Sequence, residues 1–383
     1  MFNRVIKLSK NSSIFLFGAR GTGKSYLLRN RFSGKNTAFI DLLDPAAFLE
    51  FSLNPSNLQN YLDALTPETE FVIIDEVQKI PALLDVVHKN IFDDKFKFIL
   101  TGSSARKLKR GGANMLAGRA FIYNLFPLTF EEHGSGFNLV EVLSRGSLPG
   151  IFRFDNIQDK NEFLKSYALT YLTQEITEEQ AVRKLEPFRR FLFAAAQMNG
   201  KVLNFSKIAR ESGTSPATVI TYFQILEDTL LGFLLEPFST SIRKSLISSP
   251  KFYFFDTGVV RALNNTLSID VQPKTYAFGE LFESFIVNEV YRSVSYLRND
   301  YKLNYLLTKT GVEIDLVVTR PGKKTLLLEI KSSDSISSEA LKSFIKISKE
   351  IENSEAYCIS LDKFPKRFDN VNCIHYSGLK EIL

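Results

Sequence analysis

The spacing of apolar positions changes several times along the chain, and each change marks a different kind of element. Three uninterrupted apolar runs, at Ile14–Phe17, Phe71–Ile74 and Phe98–Leu100, each end in glycine, acids or small polar residues. That pattern predicts strands buried on both faces, as in a parallel sheet. Residues 160–200 then read as helical, with Phe163, Tyr167 and Leu172 on one face and a stop at Gly200. Next come two short helices around a Ser212-Gly213 turn. Phe205, Ile208 and Ala209 face inward on the first; Val219, Tyr222, Phe223 and Leu226 do so on the second. Thr214 or Ser215 caps the second helix, and Pro216 sits in its first turn. Residues 277–294 carry an apolar helical stripe of Leu281, Phe282, Phe285, Ile286 and Val290. Finally, Gly311–Ser333 reads as two strands joined at Pro321-Gly322, where alternate residues share a face. Glu313, Asp315 and Val317 fall together on the first strand, Glu329 and Lys331 on the second.

A length of 383 residues exceeds what one hydrophobic core usually supports, so two or three domains are expected. With 44% hydrophobic and 23% charged residues the composition is that of a soluble globular protein. No apolar run reaches the roughly 18 residues of a membrane span. The N-terminal residues resemble a signal peptide in outline, but their apolar part runs into a glycine loop that needs it as a strand. Cys358 and Cys373 have neither metal spacing nor a disulfide framework, which fits a reducing cytoplasm. A net charge of +6 is compatible with nucleic acid as partner, DNA ahead of RNA, and does not by itself establish it.

The chemistry at the front is that of a nucleotide site. Gly18-Ala19-Arg20-Gly21-Thr22-Gly23-Lys24-Ser25 follows the first apolar strand and opens a helix. In that context the loop turns backbone N–H groups around phosphates, Lys24 reaches the β- and γ-phosphates, and the Ser25 hydroxyl ligates magnesium. Asp75 ends the second strand, placed to hold magnesium through water, and Glu76 beside it polarises the attacking water. ATP and Mg²⁺ are therefore the expected cofactors. The third strand ends in Thr101–Ser104, where Ser103 reads either as a γ-phosphate sensor or, like Ser104, as a helix cap. Arg119 stabilises γ-phosphate charge in its own or a neighbouring subunit of a homo-oligomer, or is an ordinary surface arginine.

Taken in order, Gly-Ala-Arg-Gly-Thr-Gly-Lys-Ser, Ile-Ile-Asp-Glu-Val-Gln, Leu-Thr-Gly-Ser-Ser, Leu-Ala-Gly-Arg and Phe-Pro-Leu-Thr-Phe-Glu-Glu resemble the prokaryotic AAA+-type ATPases that end in a nuclease-like domain. The resemblance covers nearly the whole chain. It implies an α/β architecture: a P-loop NTPase parallel sheet with helices on both faces (1–150), then an all-α helical and winged-helix region (151–245), then an α/β restriction-endonuclease-like domain (246–383). Gly- and Ser-rich stretches at 131–138 and 144–152 mark the first boundary. On the winged helix, Ser215, Thr218 and Thr221 form the face that reads DNA, if that face reads anything. It carries no arginine or lysine, and winged helices also serve as packing modules.

The last third resembles the PD-(D/E)xK nucleases: a helix, a strand with Asp315, then a strand with Glu329-x-Lys331. In that layout two carboxylates hold a magnesium ion against the scissile phosphate, and the lysine helps deprotonate water. By its place in Leu-Phe-Glu-Ser, Glu283 is the helix acid that the resemblance assigns to the metal; Glu289, centred on the apolar stripe, is the second choice. Two functions follow: an ATPase whose nucleotide state controls a metal-dependent nuclease, or an ATP-driven binding switch whose nuclease fold is silent.

Overall fold

The computed structural model describes residues 2–34, 36–103, 118–171, 185–238 and 249–383. The expected placements of Ser104 and Leu172 lie outside them.

The three apolar runs become neighbours in a five-stranded parallel sheet. Strands β1 (Ser13–Phe17), β2 (Thr37–Asp41), β3 (Phe71–Asp75), β4 (Lys97–Gly102) and β5 (Ala120–Asn124) lie in the order β2-β3-β4-β1-β5. Their side chains alternate between two cores, as the two-residue period of a strand requires. Phe15, Phe17, Val72, Ile74, Phe98 and Leu100 face one way, against helices α2 (Pro45–Leu53), α3 (Asn57–Asp63) and α4 (Leu83–Phe92). Ile14, Leu16, Phe71, Ile73 and Ile99 face the other, against α1 (Lys24–Arg31). Helices thus cover both faces, and the carboxyl ends of β1 and β3 open onto one cleft.

The Gly- and Ser-rich stretch that reads as a boundary is packed rather than loose. Helix α5 (Leu139–Arg145) leads into Gly146, whose φ of +75° and close approach to Asp256 leave no room for a Cβ. The Asp256 carboxylate accepts the Ser147 N–H at 2.7 Å and caps α10 (Thr257–Leu263), below. Glycine here serves close packing, which composition cannot distinguish from flexibility.

The middle of the chain contains α6 (Ile157–Ser166), α7 (Leu185–Gln197), α8 (Phe205–Ser212) and α9 (Pro216–Asp228). Ser215 caps α9 by accepting the Thr218 N–H, with Pro216 at the first helical position. Val219, Tyr222, Phe223 and Leu226 are buried. The region is not all-α, however. Strand β6 (Gly232–Pro237) pairs antiparallel with β7 (Lys251–Phe254), which also bridges to Asn199 and Val202. These strands continue an eight-stranded mixed sheet, β12-β13-β11-β10-β9-β8-β6-β7, so pairing runs across residue 245. Sheet continuity arises because β6 donates its far edge to β8 in parallel, a long-range pairing with no local signal.

The remaining strands are β8 (Lys302–Leu307), β9 (Glu313–Thr319), β10 (Thr325–Lys331), β11 (Ser354–Ser360), β12 (Lys366–Phe368) and β13 (Val371–His375). Helix α11 (Tyr276–Leu297) packs Phe278, Phe282, Phe285, Ile286 and Val290 on one face of this sheet, and α12 (Lys342–Ser348) covers the other. Thr275 caps α11 on the Phe278 N–H. Burying each of those large side chains contributes about 1.5–3 kcal/mol, so the helix position is well determined. Among the described residues, no helix is long and apolar enough to cross a membrane.

Candidate functional sites

The phosphate loop runs from the end of β1 into α1, and its backbone demands glycine. Gly23 takes φ +92° at the start of α1, a left-handed conformation that costs other residues roughly 1–2 kcal/mol. Lys24 is buried, donates to the Gly18 carbonyl at 2.7 Å and lies 3.8 Å from Glu76. The loop therefore holds its own lysine where a phosphate would compete for it. Ala19 accepts from the Thr22 hydroxyl at 2.8 Å, closing the turn.

Asp75 is buried at the end of β3. Thr101 donates its hydroxyl to Asp75 Oδ1, the Ser25 hydroxyl lies beside the carboxylate, and Oδ2 is buried without an aligned donor. Burial raises the Asp75 pKa, opposed by those hydroxyls and by Lys24. An acid and a hydroxyl facing one small space, with an acceptor left over, fit a magnesium ion held by Ser25 and Asp75. Glu76 sits at φ +60°, an uncommon backbone state for a glutamate. Its N–H donates to Thr101 Oγ1 at 2.9 Å.

Sequence reasoning missed Gln78. Its amide Nε2 donates to the Glu76 carboxylate and, at 3.2 Å, to Ser103 Oγ. One side chain thus ties Glu76, just past the end of β3, to Ser103, just past the end of β4. The signal, a glutamine two residues past the acid, has no meaning until the strand end turns. Ser103 and Arg20 line the same cleft of about 1190 Å³ as Gly21–Ser25, Glu76 and Gln78. Arg119 does not: it contacts His88 and lies 5.4 Å from the Phe92 ring, against α4. It is therefore not delivered to the phosphates of its own chain.

Two groups connect this cleft to the rest of the molecule. Tyr167 donates to the Arg20 carbonyl at 2.7 Å. Arg4 donates to the Thr22 carbonyl at 2.9 Å, the Phe126 carbonyl at 2.6 Å, Glu132 Oε1 at 3.0 Å and Tyr296 Oη at 3.2 Å. Tyr296 lies on α11, the helix that also carries Glu283.

The C-terminal acids occupy a second cleft. The β9–β10 pairing sets Leu328 opposite Leu316, and one further step in that register brings Glu329 opposite Asp315. Asp315 Oδ2 accepts the Ile330 N–H at 2.6 Å. Burial and the neighbouring Glu329 and Glu283 push the Asp315 pKa well up. Burial also raises that of Glu329, against the pull of Lys331, whose Nζ lies 2.6 Å from Glu329 Oε1. Glu283 accepts the Tyr253 hydroxyl at 2.7 Å and meets Lys251 at 3.3 Å. Lys251 also lies 2.6 Å from Glu313. Burial depresses the Lys251 pKa, but Glu283, Glu313 and Asp315 outweigh it and hold it above the ordinary lysine value.

Glu283 and Glu329 lie near enough to Asp315 to raise its pKa, and each of the three acids carries a contact of its own. Among the described residues, no group of three or more His, Cys, Asp or Glu side chains is arranged to hold a metal ion. Lys251, Tyr253 and Glu313 were not foreseen as site residues; a lysine opening the strand Lys251-Phe252-Tyr253-Phe254 is the one visible sign. Glu289, the second-choice helix acid, is explained by packing. It accepts the Phe130 N–H at 3.0 Å and pairs with Arg292 at 3.2 Å, joining α11 to the ATPase end of the chain. Cys358 and Cys373, opposite each other on β11 and β13, are both free and buried.

Residues 10–134 match the family model described as AAA domain, which supports a P-loop ATPase in this part of the chain. Residues 136–270 and 278–379 match two domains of unknown function, DUF8612 and DUF4143. An uncharacterized protein of Mycobacterium tuberculosis is 26% identical over 81% of this chain and 68% of its own length. One of Methanocaldococcus jannaschii is 23% identical over 91% and 81%. Among solved structures, Aeropyrum pernix ORC1 in complex with DNA is similar at 12% identity, covering 68% of this chain and 87% of that one, with a TM-score of 0.27. A Thermococcus gammatolerans assembly of McrB AAA+ hexamers with bound McrC gives 13% identity, 50% and 47% coverage, and 0.19. Scores this low carry no argument about partners.

Proposed function

We propose that this protein is an ATP-hydrolysing switch in which the nucleotide state of the P-loop cleft sets the position of α11 and, with it, the state of the acidic C-terminal cleft. The observation that carries the reading is Arg4. One guanidinium holds the phosphate-loop carbonyl of Thr22 and the Tyr296 hydroxyl of α11 at once. Nucleotide entering the loop must compete for Lys24, which now rests on Gly18, and any shift of the loop reaches Arg4. In hydrolysis, Lys24 supports the γ-phosphate, Glu76 orients water, and Gln78 and Ser103 hold Glu76. Bound magnesium would supply charge neutralisation between the phosphates, held by Ser25 and Asp75.

The test is phosphate release from ATP by the full chain, together with hydrogen exchange over residues 276–297 with and without ATP. Lys24→Ala should abolish hydrolysis. Arg4→Ala should retain nucleotide binding but lose the nucleotide-dependent change in exchange on α11. An α11 that exchanges identically with and without ATP in the unsubstituted chain refutes the coupling.

A second reading, cleavage of nucleic acid in the C-terminal cleft, is supported by Asp315 coming opposite Glu329 with Lys331 beside it. Plasmid incubated with Mg²⁺ or Mn²⁺, with and without ATP, decides it. Nicking that disappears in Asp315→Ala supports cleavage, and intact plasmid under all conditions leaves the binding switch, with DNA or protein as partner. The winged-helix face at Ser215, Thr218 and Thr221 and a homo-oligomer using Arg119 in trans belong to the same proposal. The three-part division at 150 and 245 is retained as one of function, with the pairing of β6 to β7 and β8 running across the second boundary.

A further inference from the structure

Three consecutive carbonyls of the phosphate loop each accept a side-chain donor. Lys24 Nζ donates to Gly18 at 2.7 Å, the Thr22 hydroxyl to Ala19 at 2.8 Å, and the Tyr167 hydroxyl to Arg20 at 2.7 Å. The first two donors belong to the loop itself. The third arrives from 147 residues away, outside the AAA-matched residues 10–134. Tyr167 is buried, and its ring lies 3.5 Å from where a Cβ on Gly21 would stand, so the ring backs the loop as well as bonding to it. Ala19 shares one buried core with Leu148, Leu164 and Tyr167, which packs the loop against the middle of the chain. Tyr167 also opens a π-helical turn, Tyr167–Tyr171, directly after α6. Such turns are rare and occur mostly at functional sites.

We propose that Tyr167 is a positioning residue for the nucleotide: its hydroxyl sets the Arg20–Gly21 peptide so that the Gly21 N–H is presented to a bound phosphate. The inference rests on reading the cleft as a nucleotide site. A trans peptide is planar, with its N–H and C=O pointing opposite ways. Holding the Arg20 carbonyl toward Tyr167 therefore turns the Gly21 N–H away from it. Gly21 takes φ +81°, a conformation glycine enters and leaves at little cost, so this peptide needs an outside tie to keep its orientation. Of the three ties, the one from Lys24 is the one a phosphate competes for, whereas the one from Tyr167 persists when the loop is filled. Pre-set donors bind a ligand more tightly because their ordering cost is met before it arrives. The region after the ATPase sheet thereby acquires a role at the nucleotide, through α6 and the π-helical turn.

The experiment compares the full chain with Tyr167→Phe, which keeps the ring and removes the hydroxyl. Calorimetric titration with ATP should show affinity weakened about three- to tenfold, the loss expected for one hydrogen bond. In steady-state phosphate release KM should rise by a similar factor, with kcat within about twofold, because the hydroxyl orders the loop and takes no part in the chemistry. Equal ATP affinity in the two chains overturns the proposal, as does a loss confined to kcat or to unfolding stability. A second measurement needs no substitution. Coupling is reciprocal, so ATP should slow hydrogen exchange over residues 157–168 of the unsubstituted chain. Exchange there that ignores ATP, in a chain that binds it, also overturns the proposal. An unsubstituted chain that binds no ATP sinks the nucleotide reading and this inference with it, an outcome distinct from equal affinity in the two chains.

Discussion

Replacing Glu289 by glutamine should change how stability depends on pH, with a sign the structure dictates. Glu289 is buried on α11, accepts the Phe130 N–H and pairs with Arg292. Burial outweighs the attraction of Arg292 and raises its pKa from 4.5 to about 7. Between those values the folded chain holds the proton that the unfolded chain has released. The stabilising contribution is thus fully present below 4.5 and is lost as pH rises through about 7. A shift of that size corresponds to roughly 3 kcal/mol, most of which falls between pH 5 and pH 8. His133, close by, behaves in the opposite way. Burial, with Arg292 and Arg4 nearby, lowers its pKa from 6.5 to about 4, so its contribution is present above 6.5 and lost as pH falls through about 4. The two slopes oppose each other across the same joint. Denaturant unfolding of the unsubstituted chain, Glu289→Gln and His133→Phe at several pH values separates them. Relative to the unsubstituted chain, Glu289→Gln should become more stable by roughly 2–3 kcal/mol as pH goes from 5 to 8. His133→Phe should gain relative stability as pH falls. A difference between Glu289→Gln and the unsubstituted chain that stays constant with pH would refute the reasoning.

Other outcomes follow from the two clefts. Gln78→Ala should lower kcat for ATP about ten- to hundredfold with KM within about twofold, since Gln78 holds Glu76 rather than nucleotide; steady-state phosphate release measures both. Glu76→Gln should bind ATP and hydrolyse it at least about a hundredfold more slowly, seen as ATP retained after gel filtration. Gly23→Ala should weaken ATP binding measurably by fluorescence titration, because its left-handed φ is strained for alanine. Tyr253→Phe should cost about 1–2 kcal/mol of stability by leaving Glu283 Oε1 with only Lys251, read from chemical unfolding.

Much of this protein was legible where the signal is local. Strand, glycine loop and helix all lie between Ser13 and Arg31, and so Lys24, Ser25, Asp75 and Glu76 could be placed in one cleft from spacing and strand ends. The antiparallel hairpin at Pro321-Gly322 is local as well, and it brings Asp315 and Glu329 opposite each other. The cap at Ser215 and the buried stripe of α9 are equally short-range. What the chain could not disclose one residue at a time is who meets these groups from elsewhere. Lys251 reaches Glu283 across 32 residues, Glu289 meets Phe130 across 159, and Arg4 meets Tyr296 across 292. Arg119 turned to α4 instead of the phosphates, and β6 left a helical region to join a distant sheet. Periodicity encodes which face of an element is buried, because that depends on residues a few positions apart. The charge that neutralises a buried acid depends on the packing of whole elements, and only the tertiary structure decides it.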